Sequence, residues 1–263
     1  VPSFGEIRFE HAPGDAVARV TLSHPGKQNA ISVAMWRALR ERFQALQSLP
    51  PQEAPRVVLV GGDGGHFAAG ADIEEFPAFR FEQSSLRHYH DAVIAPALQA
   101  VLACDIPVLA RIEGSCVGGG LEIASCCDLR LAAAGARFGA PIGRLGFPMA
   151  PSELQAIARV AAPATLRELL LEGRLLDADT ALQRGLLHRV LPDAAALDAE
   201  VQATIERVGA LAPHAARINK QTLRHLAAGT LGEAERHAHF AYAAHPAHRE
   251  GVEAFLARRT PRF

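Results

Sequence analysis

The chain has 263 residues, 49% of them hydrophobic, which suits one large domain with a substantial core, or one domain with an appendage. Lysine and arginine (27) balance aspartate and glutamate (28), so no global basic field is present to hold nucleic acid or an anionic membrane. The opening VPSFGEIRFEH lacks the basic start and apolar core of a signal peptide, no apolar run approaches the ~18–20 residues of a membrane span, and Cys104, Cys116, Cys126 and Cys127 show no CxxC spacing; together these predict reduced, mostly buried thiols in a cytoplasmic protein.

Short strand patterns come first, over 7–10 (IRFE) and 17–22 (VARVTL). HPGKQNA (24–30) reads as a loop by its Pro, Gly and Asn. Ser32 can cap a helix over 33–47, with Met35, Trp36, Leu39, Phe43 and Leu46 at core spacing. RVVLV (56–60) predicts a buried strand, followed by the glycine-rich loop GGDGGHFAAGAD. A second helical pattern spans 83–104, then come PVLARI (107–112) as a strand, a helix after the glycine triplet of SCVGGGLE, and a strand at 128–133. Strand, loop and helix in alternation predict an α/β class. Beyond Ser152 helix dominates, with short strands at 173–176 and 187–190. The expected division is a core over 1–207 and a helical region over 208–263 for packing or oligomerisation. His237, His239, His245 and His248 lack a metal spacing and predict a solvated helical face.

FAAGAD (67–72) and VGGGLE (117–122) share one design: a buried strand ends, and nearly bare backbone follows. Small residues let a ligand reach backbone N–H groups, and two such groups converging on one point make an oxyanion hole. The competing explanation is close helix–strand packing that needs glycine. Glu122 falls in the first helical turn among Leu121, Ile123 and Ala124. It reads as a complement to the helix dipole, or as a shielded acid or base.

FAAGADI (67–73), PVLARIEGSCVGGGLEIASCCDLRLAA (107–133), ARFGAP (136–141) and REGVEAFLARR (249–259) together resemble the enoyl-CoA hydratase/isomerase (crotonase) superfamily. The resemblance implies a spiral of ββα repeats with a C-terminal helical region, a homotrimer or a hexamer built from two trimers, and an acyl-CoA substrate, with coenzyme A entering as part of that substrate and no separate cofactor or metal. It implies that the N–H groups of Ala71 and Gly119 hold the thioester oxygen and that Glu122 is the catalytic acid/base. It also implies that Lys27, Gln28, Ala30, Ala69, Gly70, Asp72, Ile73 and Gly118 line the coenzyme A path. The family's second glutamate follows the proline of FGxPE. Here that position is Ile142, which neither accepts nor donates a proton, so ordinary two-glutamate hydration is in doubt. Double-bond isomerisation, or an atypical hydratase or lyase, follows; a non-catalytic acyl-CoA binder is the alternative. Glu153, Glu113 and His90 are the weaker candidates to stand in for the lost glutamate. A helix-start acid, a partner of Arg111 and a packing histidine are their respective plainer readings.

Overall fold

The computed structural model describes residues 4–263, so the first three residues of VPSFGEIRFEH lie outside it. Strands β1 (Glu6–Glu10) and β2 (Val17–Ser23) form an antiparallel pair. Next to β2 the main sheet runs parallel through β3 (Val57–Gly62), β4 (Val108–Ile112), β6 (Leu129–Ala133) and β9 (Arg189–Leu191), in the order β1-β2-β3-β4-β6-β9. A three-stranded sheet of β5 (Ser115–Val117), β7 (Arg137–Gly139) and β8 (Leu175–Asp177) stands beside it. Strands covered on both faces read as unbroken apolar runs, which is why VVLV and VLARI were recognisable without alternation.

The turn that repeats is a strand in the main sheet, an extended piece in the second layer, then a helix. β2 leads to Ile31 and then α1 (Val33–Gln47). β3 leads to Ala68, then to α2 (Gln83–His88), a π-helical turn (Tyr89–Ile94) and α3 (Ala95–Ala103). β4 leads to β5 and α4 (Gly119–Cys126), and β6 leads to β7 and α5 (Pro151–Ala158). Isolated parallel bridges Ala68↔Cys116 and Ile31↔Ala71 extend the second layer across the turns. This is the expected spiral of ββα units. Strand β5 was not expected: its three residues are hidden between Gly114 and the glycine triplet, too short to leave a periodic trace.

α1 forms where the sequence places it. The Met35 N–H donates to the Ser32 hydroxyl (3.2 Å), and Met35, Trp36, Leu39, Phe43 and Leu46 are all buried against the main sheet's covering layer. Each such side chain contributes roughly 1.5–3 kcal/mol by leaving water. α6 (Pro163–Arg167) and α7 (Ala178–Gln183) complete the core. α8 (Ala194–Gly209) then packs Leu197, Val201 and Ile205 onto the other face of the sheet, against Val57, Leu59, Leu109 and Leu131. The chain turns between Gly209 and Pro213.

α9 (Pro213–Ala228), α10 (Glu233–His239) and α11 (Pro246–Leu256) follow. α9 is tied to the core by the buried Lys220, whose Nζ donates to the Ile106 carbonyl (2.9 Å) and pairs with Asp128 (2.6 Å). Arg224 adds donations to the carbonyls of Leu102 and Cys104. The chain from Leu211 onward leaves Leu211, Leu223, Leu226, Phe240, Val252, Phe255 and Leu256 exposed. The C-terminal histidines are less evenly solvated than expected: His239, His245 and His248 line a cleft with His214, whose ring stacks on His245 at 3.9 Å. Among the described residues no cluster of His, Cys, Asp and Glu is disposed to hold a metal ion, and no helix is long and apolar enough to cross a membrane. All four cysteines are free and buried.

Candidate active site

The backbone half of the site comes from two loops locked together by hydrogen bonds. Ile31 donates to the Gly70 carbonyl (2.7 Å) and accepts from the Asp72 N–H (2.9 Å). In a parallel bridge, bonding to the residues on either side of Ala71 turns the N–H of Ala71 itself away from Ile31. The neighbouring Ala69 N–H is used on the Gln28 carbonyl (3.0 Å). In the second loop the Gly118 N–H is used on the Gly139 carbonyl (2.9 Å), and Glu122 returns to the Gly118 carbonyl (2.9 Å) to open α4. Gly119 is the first residue of that helix, where an N–H has no intrahelical partner. The N–H groups of Ala71 and Gly119 thus donate to no carbonyl among the described residues, and both residues line one cavity.

The glycine triplet meets the packing requirement at two positions. Gly118 has φ +50°, a conformation a side chain resists. At Gly120 a Cβ would fall 2.5 Å from the Ala68 carbonyl oxygen, so the helix can approach the strand only without one.

The side-chain half lies opposite. The cavity, of about 280 Å³, is bounded by Trp36, Tyr89, Ile94, Ile142, Met149 and Leu145 among others, and admits Glu122, Glu153, His90, Arg80 and Arg144. Glu122 and Glu153 are both buried. Burial first, and then the neighbouring Glu153 charge, push the Glu122 carboxyl well above the ordinary carboxylate range, with Arg80 opposing. The buried Tyr89 phenol is raised by the same causes in the same order: burial, then Glu153, then Glu122. His90 Nδ1 lies 2.5 Å from Glu153 Oε1. With Glu153 ionised, Nδ1 carries the hydrogen and donates. Adjacent Tyr89 and His90 of the π-helical turn both reach the cavity.

Glu153 reaches this wall because Ala150 is extended and Pro151 opens α5, placing the glutamate in the first helical turn facing inward. Ile142 begins a short 3-10 turn (Ile142–Leu145) and lines the cavity as an apolar group.

The other candidates divide. Ala69, Gly70, Ile73 and Gly118 line the cavity. Lys27, Gln28, Ala30 and Asp72 do not; they form its outer neighbourhood. Lys27 Nζ pairs with Asp72 and Glu74 (2.8 Å each), contacts that raise the lysine pKa, Asp72 foremost. The Gln28 carbonyl carries the Ala69 N–H already noted. Glu113 is not brought to the cavity: it pairs with Arg111, which also binds Asp198, and its plainer reading is the one the geometry matches. His88 is exposed. Sequence reasoning passed over Asn29, which holds the 24–30 loop by donating to the carbonyls of Asp63 and His66 (2.8 Å each) and accepting the His24 N–H (2.9 Å). It also passed over Arg80, Phe76, Phe147 and Tyr89. None belongs to a motif, and only the folded chain gathers them.

Residues 13–263 match the family model described as enoyl-CoA hydratase/isomerase. A crystal structure of an enoyl-CoA hydratase/carnithine racemase from Magnetospirillum magneticum is 42% identical, covers 99% of this chain and 96% of that one, and has a TM-score of 0.92. AtuE of Pseudomonas aeruginosa is 29% identical, with 97% and 98% covered and a TM-score of 0.87. Among curated relatives, a probable enoyl-CoA hydratase of Bacillus subtilis is 32% identical over 260 residues, 94% of this chain and 95% of that protein. With a family model matched over nearly its whole length and relatives aligned end to end, the chain belongs to the enoyl-CoA hydratase/isomerase family.

Proposed function

We propose that this family member hydrates a 2-enoyl-CoA thioester, using Glu122 and Glu153 as its acid/base pair in place of the glutamate lost at Ile142. One observation carries the reading: a second buried carboxylate, Glu153, shares the cavity with Glu122 and the two free amides. The thioester oxygen sits between the N–H groups of Ala71 and Gly119. A water lies between the two carboxylates. Glu153, oriented by His90, takes a proton from the water as its oxygen bonds to the β-carbon. The electron pair of the double bond moves onto the thioester oxygen, where the two amides stabilise the enolate. Burial beside another carboxylate raises the Glu122 pKa and so favours its protonated form, which delivers the proton to the α-carbon as the enolate collapses. His90 is a positioning residue in this scheme.

Coenzyme A follows the path from Gly70 and Ile73 outward past the Lys27–Asp72 pair, where Lys27, Gln28 and Ala30 meet its nucleotide end. The exposed leucines and phenylalanines of α9–α11 are given to contacts between copies of the chain, in a trimer or a hexamer of two trimers. The second reading is isomerisation by Glu122 alone, favoured by the apolar Ile142.

The test incubates the protein with a series of 2-enoyl-CoA esters beginning with crotonyl-CoA, and with 3-enoyl-CoA esters, following the conjugated-thioester absorbance. Hydration removes it. A gain from the 3-enoyl esters, with no loss from any 2-enoyl ester, replaces hydratase by isomerase. Tight binding with neither change means a non-catalytic binder.

A further inference from the structure

The cavity holds a positive charge that the hydration scheme does not use. The Arg80 guanidinium is stacked between two rings, its Cζ 3.7 Å from the Phe147 centroid and 4.2 Å from that of Phe76. The rings themselves meet edge to face, 5.9 Å apart. Phe76 comes from the 3-10 turn after the Ala71 loop and Phe147 from the segment leading into α5, so two separate parts of the chain fix the guanidinium at the cavity wall. The stacking supplies cation–π attraction but no acceptor for any N–H.

The Arg80 side chain makes no hydrogen bond and no ion pair among the described residues, and its Nε is buried without a partner. The other inward-facing arginines differ. Arg144 donates to the Gly173 carbonyl (3.0 Å), and Arg130 donates to the carbonyls of Leu186 and Cys127 (2.6 Å each). A guanidinium partly withdrawn from water without acceptors is costly unless something bound there supplies them. Glu153 and Glu122 are near enough for their charges to act on Arg80, yet it pairs with neither. Arg80 lines the same cavity as Glu122 and Glu153, whereas Lys27, in the loop where the coenzyme A phosphates are expected, does not.

We propose, resting on the acyl-CoA reading of this cavity, that Arg80 receives a carboxylate on the acyl group, so that the substrates are CoA thioesters of dicarboxylic acids rather than plain fatty acyl thioesters. A guanidinium presents paired N–H groups that match a carboxylate in a fork, a geometry that a hydroxyl or a methyl group cannot fill. One such group in a mostly apolar wall fixes orientation as well as identity. The same charge disfavours a cationic acyl group.

Two esters of equal carbon count separate the possibilities: 4-carboxybut-2-enoyl-CoA (glutaconyl-CoA) and 2-pentenoyl-CoA, in which a methyl group replaces the carboxylate. With the full chain, kcat/KM and calorimetric Kd should favour the carboxylate ester by about ten-fold or more. In Arg80→Gln the ratio between the two esters should collapse toward unity. In Arg80→Lys, which keeps the charge but loses the fork, it should fall between. A wild-type protein that binds and turns over 2-pentenoyl-CoA as well as glutaconyl-CoA, or better, overturns the assignment of Arg80 and leaves the acyl-CoA reading intact. Failure to bind either ester overturns the acyl-CoA reading itself. The wild-type ratio decides the matter even if a variant does not fold, and melting curves identify that case.

Discussion

The two walls of the cavity are built on different principles. One wall, residues 67–72 and 115–122, offers main-chain N–H groups: those of Ala69, Asp72 and Gly118 are committed to carbonyls, while those of Ala71 and Gly119 donate to none. The other, residues 80–103 with the segment 141–153, offers side chains: His90, Glu153, Tyr89 and Arg80. Backbone chemistry is tied to local geometry and cannot move without the loops that make it. Side-chain chemistry can move, because a carboxylate reaching the same space from a different position does the same work. At Ile142 the wall carries no acid, and at Glu153 it carries one.

Removing the cavity's carboxylates should cost the most activity. Glu122→Gln should lower kcat by ~10²–10⁴-fold while a CoA ester still binds, as judged by calorimetry. An unaffected rate removes Glu122 from the mechanism. Glu153→Gln should lose at least ~10²-fold in hydration and leave any isomerisation of a 3-enoyl ester standing. Equal loss of both would mean that Glu153 serves the fold or both reactions, not the water alone. Breaking the backbone wall should instead appear as instability. Gly120→Ala forces a methyl group onto the Ala68 carbonyl and should destabilise by about 1–3 kcal/mol in denaturant unfolding.

The smallest effect is on the pH dependence of stability. Glu122 is raised in the folded state above its unfolded value near 4.5, chiefly by burial. Its contribution is therefore fully present below the ordinary carboxylate range and is lost as pH rises through the raised pKa, because only the unfolded chain releases the proton in between. Melting temperatures of the wild type should fall over that window, and Glu122→Gln should flatten the decline. A parallel decline in the variant would assign the trend to other groups.

The same contrast explains what could be read before folding. The bare-backbone loops are contiguous in sequence, so FAAGAD and VGGGLE announced themselves. The spiral's strands and α1 were legible because buried parallel strands and an amphipathic helix leave unbroken or periodic apolar patterns. Glu153 was visible only as one of several acids, since nothing local says that a first-turn glutamate will point inward at a carboxylate about thirty residues away in the chain. Its apolar neighbours on α5, Ala156 and Ile157, both buried, were the available hint. Glu113 and Glu153 looked alike in sequence and were separated by one fact of the fold, that Arg111, itself paired with Asp198, engages the former. The π-helical turn was illegible because the helical pattern of 83–104 runs through it without a break.

The attachment of α9 has a mechanical consequence. Lys220 grips the main chain at Ile106, immediately before β4, and Asp128, whose other contact is the Val108 N–H (2.7 Å) at the start of that strand. The last helices are thus riveted by a side chain to the strand that runs toward the glycine triplet. A protease nick between Gly209 and Pro213 should leave the two fragments together through a sizing column, whereas Lys220→Met should let them part.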